Sequence, residues 1–357
     1  HQRRQGAGLC LPSHAPPRET VSLKQVQTSQ RPRANRRAFC RPTGSERQII
    51  SQPPPPFIET SALLHASFML SPDLWQTDLP LFVKVDNVPE SEVVSSPGFS
   101  RSVRWFYSKG VRCHAWLFVP TAASQKEIHD ENASAGRLPP VVIMAHGMGS
   151  QKDMGLDKYA EYFAKRGIAT LLFDYRTFGG SDGMPRNLVD PWRHVEDYVA
   201  ALDYVRGPGL SDSVDSSRVA LWGTSFSGGH VLKVAAADNV PSRVGDILAI
   251  VSQVPHLDGR EASKRSLKKR GTAGTLKMAA ATIGDILRGL LGMQARYVSL
   301  VGCKGEVSLM PLSEDGCKHY FAKHPAEYLG GWRNQVCARV GAMIGMYSPI
   351  KALPQVR

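Results

Sequence analysis

The 357 residues, 42% of them apolar, are enough for one large α/β domain with extensions, and no apolar run approaches the roughly 18 residues of a membrane-spanning helix. The formal charge of +13 is unevenly placed: residues 1–75 carry ten Lys and Arg against four Asp and Glu, residues 260–304 carry ten against two, and the remainder is close to neutral. A near-neutral centre argues against nucleic-acid binding. Six cysteines without a CxxC pair or His/Cys zinc spacing exclude a recognisable metal cluster and read as reduced thiols of an intracellular protein.

Residues 1–80 form an N-terminal extension. Its first 56 residues are rich in Arg, Ser, Gln and Pro, hold only Glu19 and Glu46 as acids, and end in Pro53-Pro54-Pro55-Pro56. Such a segment reads as disordered, or as an organelle transit peptide, which leaves a cytoplasmic or organellar location open. A single ordered domain is expected over 81–357. Arg101–Tyr107 and Val111–Val119 read as two strands joined by a tight Gly-containing turn. The apolar run Val141–Ala145 predicts a strand buried on both faces, a helix follows to Arg166 with Gly167 as its stop, and Ile168–Phe173 is the next buried strand. A helix over Pro191–Val205 has Pro in its first turn and Trp192, Val195, Val199 and Leu202 at helical spacing. Val219–Trp222, Phe226–Ala237 and Ile247–Val251 then predict strand, helix and strand. Buried strands alternating with amphipathic helices imply a doubly wound, mostly parallel sheet. After Val254 the alternation stops, which predicts a helical cap inserted at about 256–330, with Ile283, Ile286, Leu287, Leu290 and Leu291 on one stripe. Trp332–Met346 reads as a final helix.

Ligands of such sheets bind beyond the carboxyl ends of the strands. Leu221-Trp222-Gly223-Thr224-Ser225-Phe226-Ser227-Gly228-Gly229 sits at one such end and has the small residues that a sharp strand-to-helix turn requires, so Ser225 is the expected nucleophile. Its oxyanion would be held by the Phe226 N–H and by a backbone N–H of His146-Gly147-Met148-Gly149, that of Met148 being the best placed. His146 and Gly147, with Leu287 and Leu291 from the cap, are expected to line the substrate cleft, His146 bracing the turn rather than acting as a base.

The HGMG turn, the DYRTFGGSDG loop from Asp174, the WRHVEDYVAALDYVR helix, the LWGTSFSGGHVL segment and the run from Val251 to Gly259 resemble, in that order, the α/β-hydrolase superfamily. The serine-aminopeptidase-like and dienelactone-hydrolase-like branch is the nearest. The resemblance covers about residues 100–357. It implies a serine hydrolase that cleaves a carboxylic ester or amide of a small molecule through an acyl-enzyme, with no cofactor and no metal. Asp174 and Arg176 then serve loop structure. In this family the acid follows the seventh strand and the histidine the eighth. Only six of those strands are legible here, and the seventh should begin near Ser348. The sequence therefore reads as a C-terminally incomplete chain without its catalytic Asp and His. Asp258, at the end of the sixth strand, is an acid that could stand in. A non-catalytic ligand- or partner-binding protein of the same fold is the alternative. The oligomeric state is not legible. The apolar stripe of the cap suits a lid over the cleft, and a membrane-surface helix is the competing reading, weakened by Asp285 and Gly289.

Overall fold

Chain contacts divide the protein at Phe57/Ile58, and the computed structural model describes residues 93–356 except 123, 125–136, 237–246, 304–305 and 324–331. The expected extension over 1–80 lies outside the described residues.

The polar-apolar alternation of the first strands suits an antiparallel edge, and the continuous apolar runs that follow suit a buried parallel centre. Seven strands form the main sheet: β1 (Val93–Ser96), β2 (Phe99–Ser108), β3 (Val111–Pro120), β4 (Val141–Ala145), β5 (Ala169–Phe173), β6 (Val219–Thr224) and β7 (Ala249–Gln253). Their order is β1-β2-β3-β5-β4-β6-β7, with β1 to β3 antiparallel and β4 to β7 parallel. The β2–β3 turn places Lys109 and Gly110 at φ 49° and 81°, the pair of positive values that a two-residue hairpin needs. Register fixes the working edge: Ala145 pairs with Phe173 on one side and Gly223 on the other, and Thr224 pairs with Gln253. The loops opening at His146, Asp174, Ser225 and Val254 therefore leave from one edge of the sheet.

Helices α1 (Leu156–Ala164), α2 (Pro191–Arg206) and α3 (Phe226–Ala235) pack on this sheet. Asp190 caps α2 by accepting from the N–H groups of Trp192 and Arg193, with Pro191 in the first turn. Its buried face is His194, Asp197, Tyr198, Ala201, Leu202 and Val205, one step round from the stripe the periodicity predicts. Asp197 explains the rotation, because it must face inward to bind the buried Arg176.

The 256–330 segment departs from a purely helical cap. It opens with α4 (Gly259–Leu290), two helical pieces meeting at Gly271 (φ 73°), and continues with β8 (Tyr297–Gly302), β9 (Ser308–Pro311) and α5 (Glu314–Lys323). Together with β10 (Val336–Cys337) these strands make a second sheet in the order β10-β8-β9. The expected final helix is instead β10, a short α6 (Val340–Met343) and 3-10 turns over Ile344–Met346 and Pro349–Gln355. Strands of two to six residues with one protected face are too short for a periodic signal. Cys303 and Cys317 form a disulfide with Cα atoms 5.8 Å apart, so not all cysteines are thiols as expected. The two are fourteen residues apart and meet only because β8, β9 and α5 fold back on one another.

Candidate active site

Ser225 has φ 55° and ψ −115°, a conformation that L residues rarely adopt and that costs on the order of 1–3 kcal/mol. Two backbone bonds hold it: the Ser225 N–H donates to the Gln253 carbonyl at 2.9 Å, and the His256 N–H donates to the Ser225 carbonyl at 2.8 Å. The serine is exposed while the residues after it are buried. A Cβ on Gly223 would run into the Ser227 carbonyl, which is why the turn needs glycine there. Ser227 stands where a second glycine is usual, and its hydroxyl lies 2.6 Å from the Tyr198 hydroxyl, which also donates to the Trp222 carbonyl at 2.9 Å. Tyr198 on α2 thus ties together both arms of the turn. Neither its burial, one step off the predicted stripe, nor its hydrogen bonds are legible in the sequence. Because Gly223 meets backbone rather than a movable side chain, Gly223→Ala is expected to cost at least about 3 kcal/mol of stability, measured by denaturant titration. A loss under about 1 kcal/mol would show that the turn is slack.

The His146–Gly149 turn abuts the serine. A Cβ built on Gly147 would lie 3.3 Å from Ser225 Cβ and 3.7 Å from its Oγ, so any larger residue would crowd the nucleophile. His146 is 1% exposed and packs edge-on against Tyr175 and Phe178. Its Nδ1 lies 2.9 Å from the Gly147 carbonyl, an oxygen that can only accept, so Nδ1 carries the proton. Burial pushes its pKa down, which keeps the ring neutral at pH 7. The sequence expectation that His146 braces the turn fits this geometry, whereas its expected place on the cleft wall meets a ring with almost no accessible surface. Met148 is buried as well. Gly149 (φ 66°) is capped from the second sheet by Leu300, and its carbonyl accepts from the Trp332 indole at 2.9 Å. Neither support has a local sequence signal.

Below the turn lies a buried ion pair. The Asp174 carboxylate accepts from Lys152 Nζ at 2.6 Å, from the Lys152 N–H at 2.7 Å and from the Gly180 N–H at 3.0 Å. Burial alone would push Asp174 up, but the Lys152 ammonium outweighs it and holds the carboxyl below its usual range. Arg176 pairs with Asp197 and Glu196 and reaches the Arg193 carbonyl. Both acidic and basic members of the Asp174 loop are thus committed to structure.

Among the described residues no side chain is hydrogen-bonded to the Ser225 hydroxyl. His230 is fully buried with Nδ1 2.6 Å from the Tyr347 hydroxyl. The His256 ring packs against Phe226 and Tyr347. His319 is engaged with the Asp315 carbonyl on α5, and His324 lies outside the described residues. Asp258, the expected stand-in acid, is the N-cap of α4: it accepts from the N–H groups of Arg260 at 2.8 Å and Glu261 at 3.3 Å, with Ser348 Oγ also at 3.3 Å. Those N–H groups hold its carboxyl below the usual range. Leu287 and Leu291, expected on the cleft wall, are 54% and 73% exposed on the outer side of α4. The structure sets Gly147 against Ser225, with Phe226 next in the chain, and leaves Asp258, Leu287 and Leu291 in other roles. A surface groove of about 580 Å³, lined by Arg265, Lys268, Lys269, Met310 and Leu312, contains none of the elbow residues.

A mostly parallel sheet with a strained serine between β6 and α3 defines a class, and comparison with known proteins agrees with it. The chain belongs to the α/β-hydrolase superfamily. Residues 109–283 match the family model of the X-Pro dipeptidyl-peptidase (S15 family). The quorum-quenching protein AidA of Acinetobacter baumannii (strain MDR-ZJ06) is 36% identical over 244 residues, 68% of this chain and 71% of AidA. The thiohydrolase aneE of Aspergillus aculeatus is 42% identical over 99 residues, which is 28% of this chain and only 30% of that protein. The crystal structure of the α/β hydrolase GrgF from Penicillium sp. sh18 superposes with a TM-score of 0.51 at 21% identity, covering 72% of this chain and 76% of GrgF, a likeness of fold.

Proposed function

We propose that Ser225 is an acyl-transfer nucleophile that cleaves a carboxylic ester or amide of a small molecule. The carrying observation is the φ 55° serine at the β6–α3 junction with Gly147 against its hydroxyl. In the reaction the Oγ attacks the carbonyl carbon as its proton leaves, the tetrahedral intermediate expels the alcohol or amine with a proton, and water then frees the acid. The Phe226 N–H opens a helix and so lacks an intrahelical acceptor; with the Met148 N–H it would meet the developing oxyanion, each donor being worth about 3 kcal/mol in the transition state. Thiohydrolase activity, as the name of the aneE relative has it, is a further candidate for the same attack.

A serine hydroxyl needs a base, and the described residues bring none to Ser225. Turnover by residues 1–357 is accordingly expected to be slow, and Ser225→Ala is expected to lower p-nitrophenyl ester hydrolysis by less than about tenfold, against about 10⁶-fold where a complete triad acts as a unit. The direct test is labelling with a fluorophosphonate at pH 7 and at pH 10 with added imidazole, followed by peptide mapping. An adduct on Ser225 that is absent from Ser225→Ala supports the proposal, and equal labelling of both proteins ends it. That no base stands beside Ser225 among the described residues also favours a second reading, a non-catalytic binding protein of the same fold, for which Ser225 stays unlabelled under both conditions.

A further inference from the structure

The second half of α4 has its amphipathicity reversed. Its buried positions are small or polar: Met278, Ala281, Thr282, Asp285 and Gly289. Its outward positions are Leu276, Ile283, Leu287, Leu290, Leu291 and, just beyond, Met293, each between 48% and 73% exposed. At about 100° per residue the outward residues of the helix fall within an arc of about 120°, opposite Asp285. Rotation cannot hide them. The Asp285 carboxylate accepts from the Arg296 N–H at 2.7 Å, the Arg339 N–H at 2.8 Å and the Arg339 guanidinium at 2.7 and 3.0 Å, and Thr282 donates to the Ala338 carbonyl at 2.9 Å. This ion pair removes the objection raised by the sequence: Asp285 and Gly289 interrupt the linear stripe but lie wholly on its inner side.

The surround is cationic. Residues 260–304 carry ten Lys and Arg against two Asp and Glu, and one of those acids is the buried Asp285. Arg265, Lys268 and Lys269 stand exposed before the Gly271 kink, and Lys277 and Arg296 stand exposed beside the apolar arc. A contiguous apolar face rimmed by exposed cations, on a helix lying along the surface, is the composition that inserts shallowly into an anionic bilayer surface. A second copy of the chain suits the face less well, since two-fold pairing would set one strongly basic rim against another. None of the described helices is long and apolar enough to cross a membrane, so the contact is peripheral.

We infer that the outer face of α4, from Leu276 to Met293, docks on anionic lipid bilayer surfaces. This stands apart from the chemistry proposed for Ser225. The test is co-sedimentation of the full chain with vesicles of phosphatidylcholine alone or mixed with phosphatidylglycerol. Binding is expected to the mixed vesicles only, to weaken as salt rises, and to fall by at least about tenfold in Ile283→Glu/Leu290→Glu, which loses two inserting side chains. Both positions are exposed, so the variant should keep its circular dichroism spectrum and thermal midpoint. Equal binding by the variant, equal binding to both vesicle types, or no vesicle binding together with a dimer in light scattering that the variant abolishes, would each overturn the inference.

Discussion

Asp174→Ala is expected to remove about 3–5 kcal/mol of folding free energy, because it leaves the Lys152 ammonium buried without its counter-ion. Lys152 is 2% exposed, and the carboxylate is its ion-pair partner. It also lies over the face of Trp116 at 4.6 Å, which attracts a cation but supplies no acceptor. The loss also frees the Lys152 and Gly180 N–H groups that fix the loop above. Denaturant titration of the variant gives the number, and a loss below about 1 kcal/mol would mean that water or a rotamer change rescues the lysine. The paired change Lys152→Met/Asp174→Leu should recover much of the loss, since the penalty lies in the orphaned charge more than in the missing bond.

Stability should fall steeply as pH drops below about 6.5, the ordinary histidine value. His114, His146, His194 and His230 are all at most 1% exposed. Burial pushes His114 down to about 3, and it pushes His146 down and His194 and His230 well down in the same way. The sign follows from proton counting. Below the ordinary value the unfolded chain binds protons that the folded chain refuses, so each such group costs about 1.4 kcal/mol per pH unit until its folded pKa is reached. Asp197 works in the opposite direction: burial raises it to about 6 despite Arg176, so the folded state takes up one proton between there and the ordinary carboxylate value. Four groups against one leave a net loss on acidification. The thermal midpoint measured from pH 7.5 to 5 should fall monotonically, and a flat profile would mean that these rings are charged or hydrated in the native state.

The central sheet and the elbow are legible in the sequence because their signals are local. Strands buried on both faces leave continuous apolar runs at Val141–Ala145 and Ile168–Phe173, and the small residues at Gly223 and Ser227 are demanded by the turn they make. What is not legible depends on partners far along the chain. The stripe of Ile283, Leu287 and Leu290 reads as a buried face, yet Arg339, 54 residues beyond Asp285, fastens the opposite side inward. Asp258 looks like a free acid at a strand end until the start of α4 one residue later makes it a cap. Ser227 looks like a tolerated irregularity until Tyr198, 29 residues earlier, is seen to bind it.

The two bonds that hold Ser225 come from the end of β7 and the segment after it, the acceptor from Gln253 and the donor from His256. Gly223 permits the strained turn, but nothing within residues 223–229 compels it. A chain that has paired β4, β5 and β6 but not yet seated β7 would carry the whole elbow motif with its serine free to relax. The nucleophile's geometry is thus secured from outside its own motif: with β7 unseated the other parallel strands could still pair, while the serine would lack the two bonds that fix its backbone.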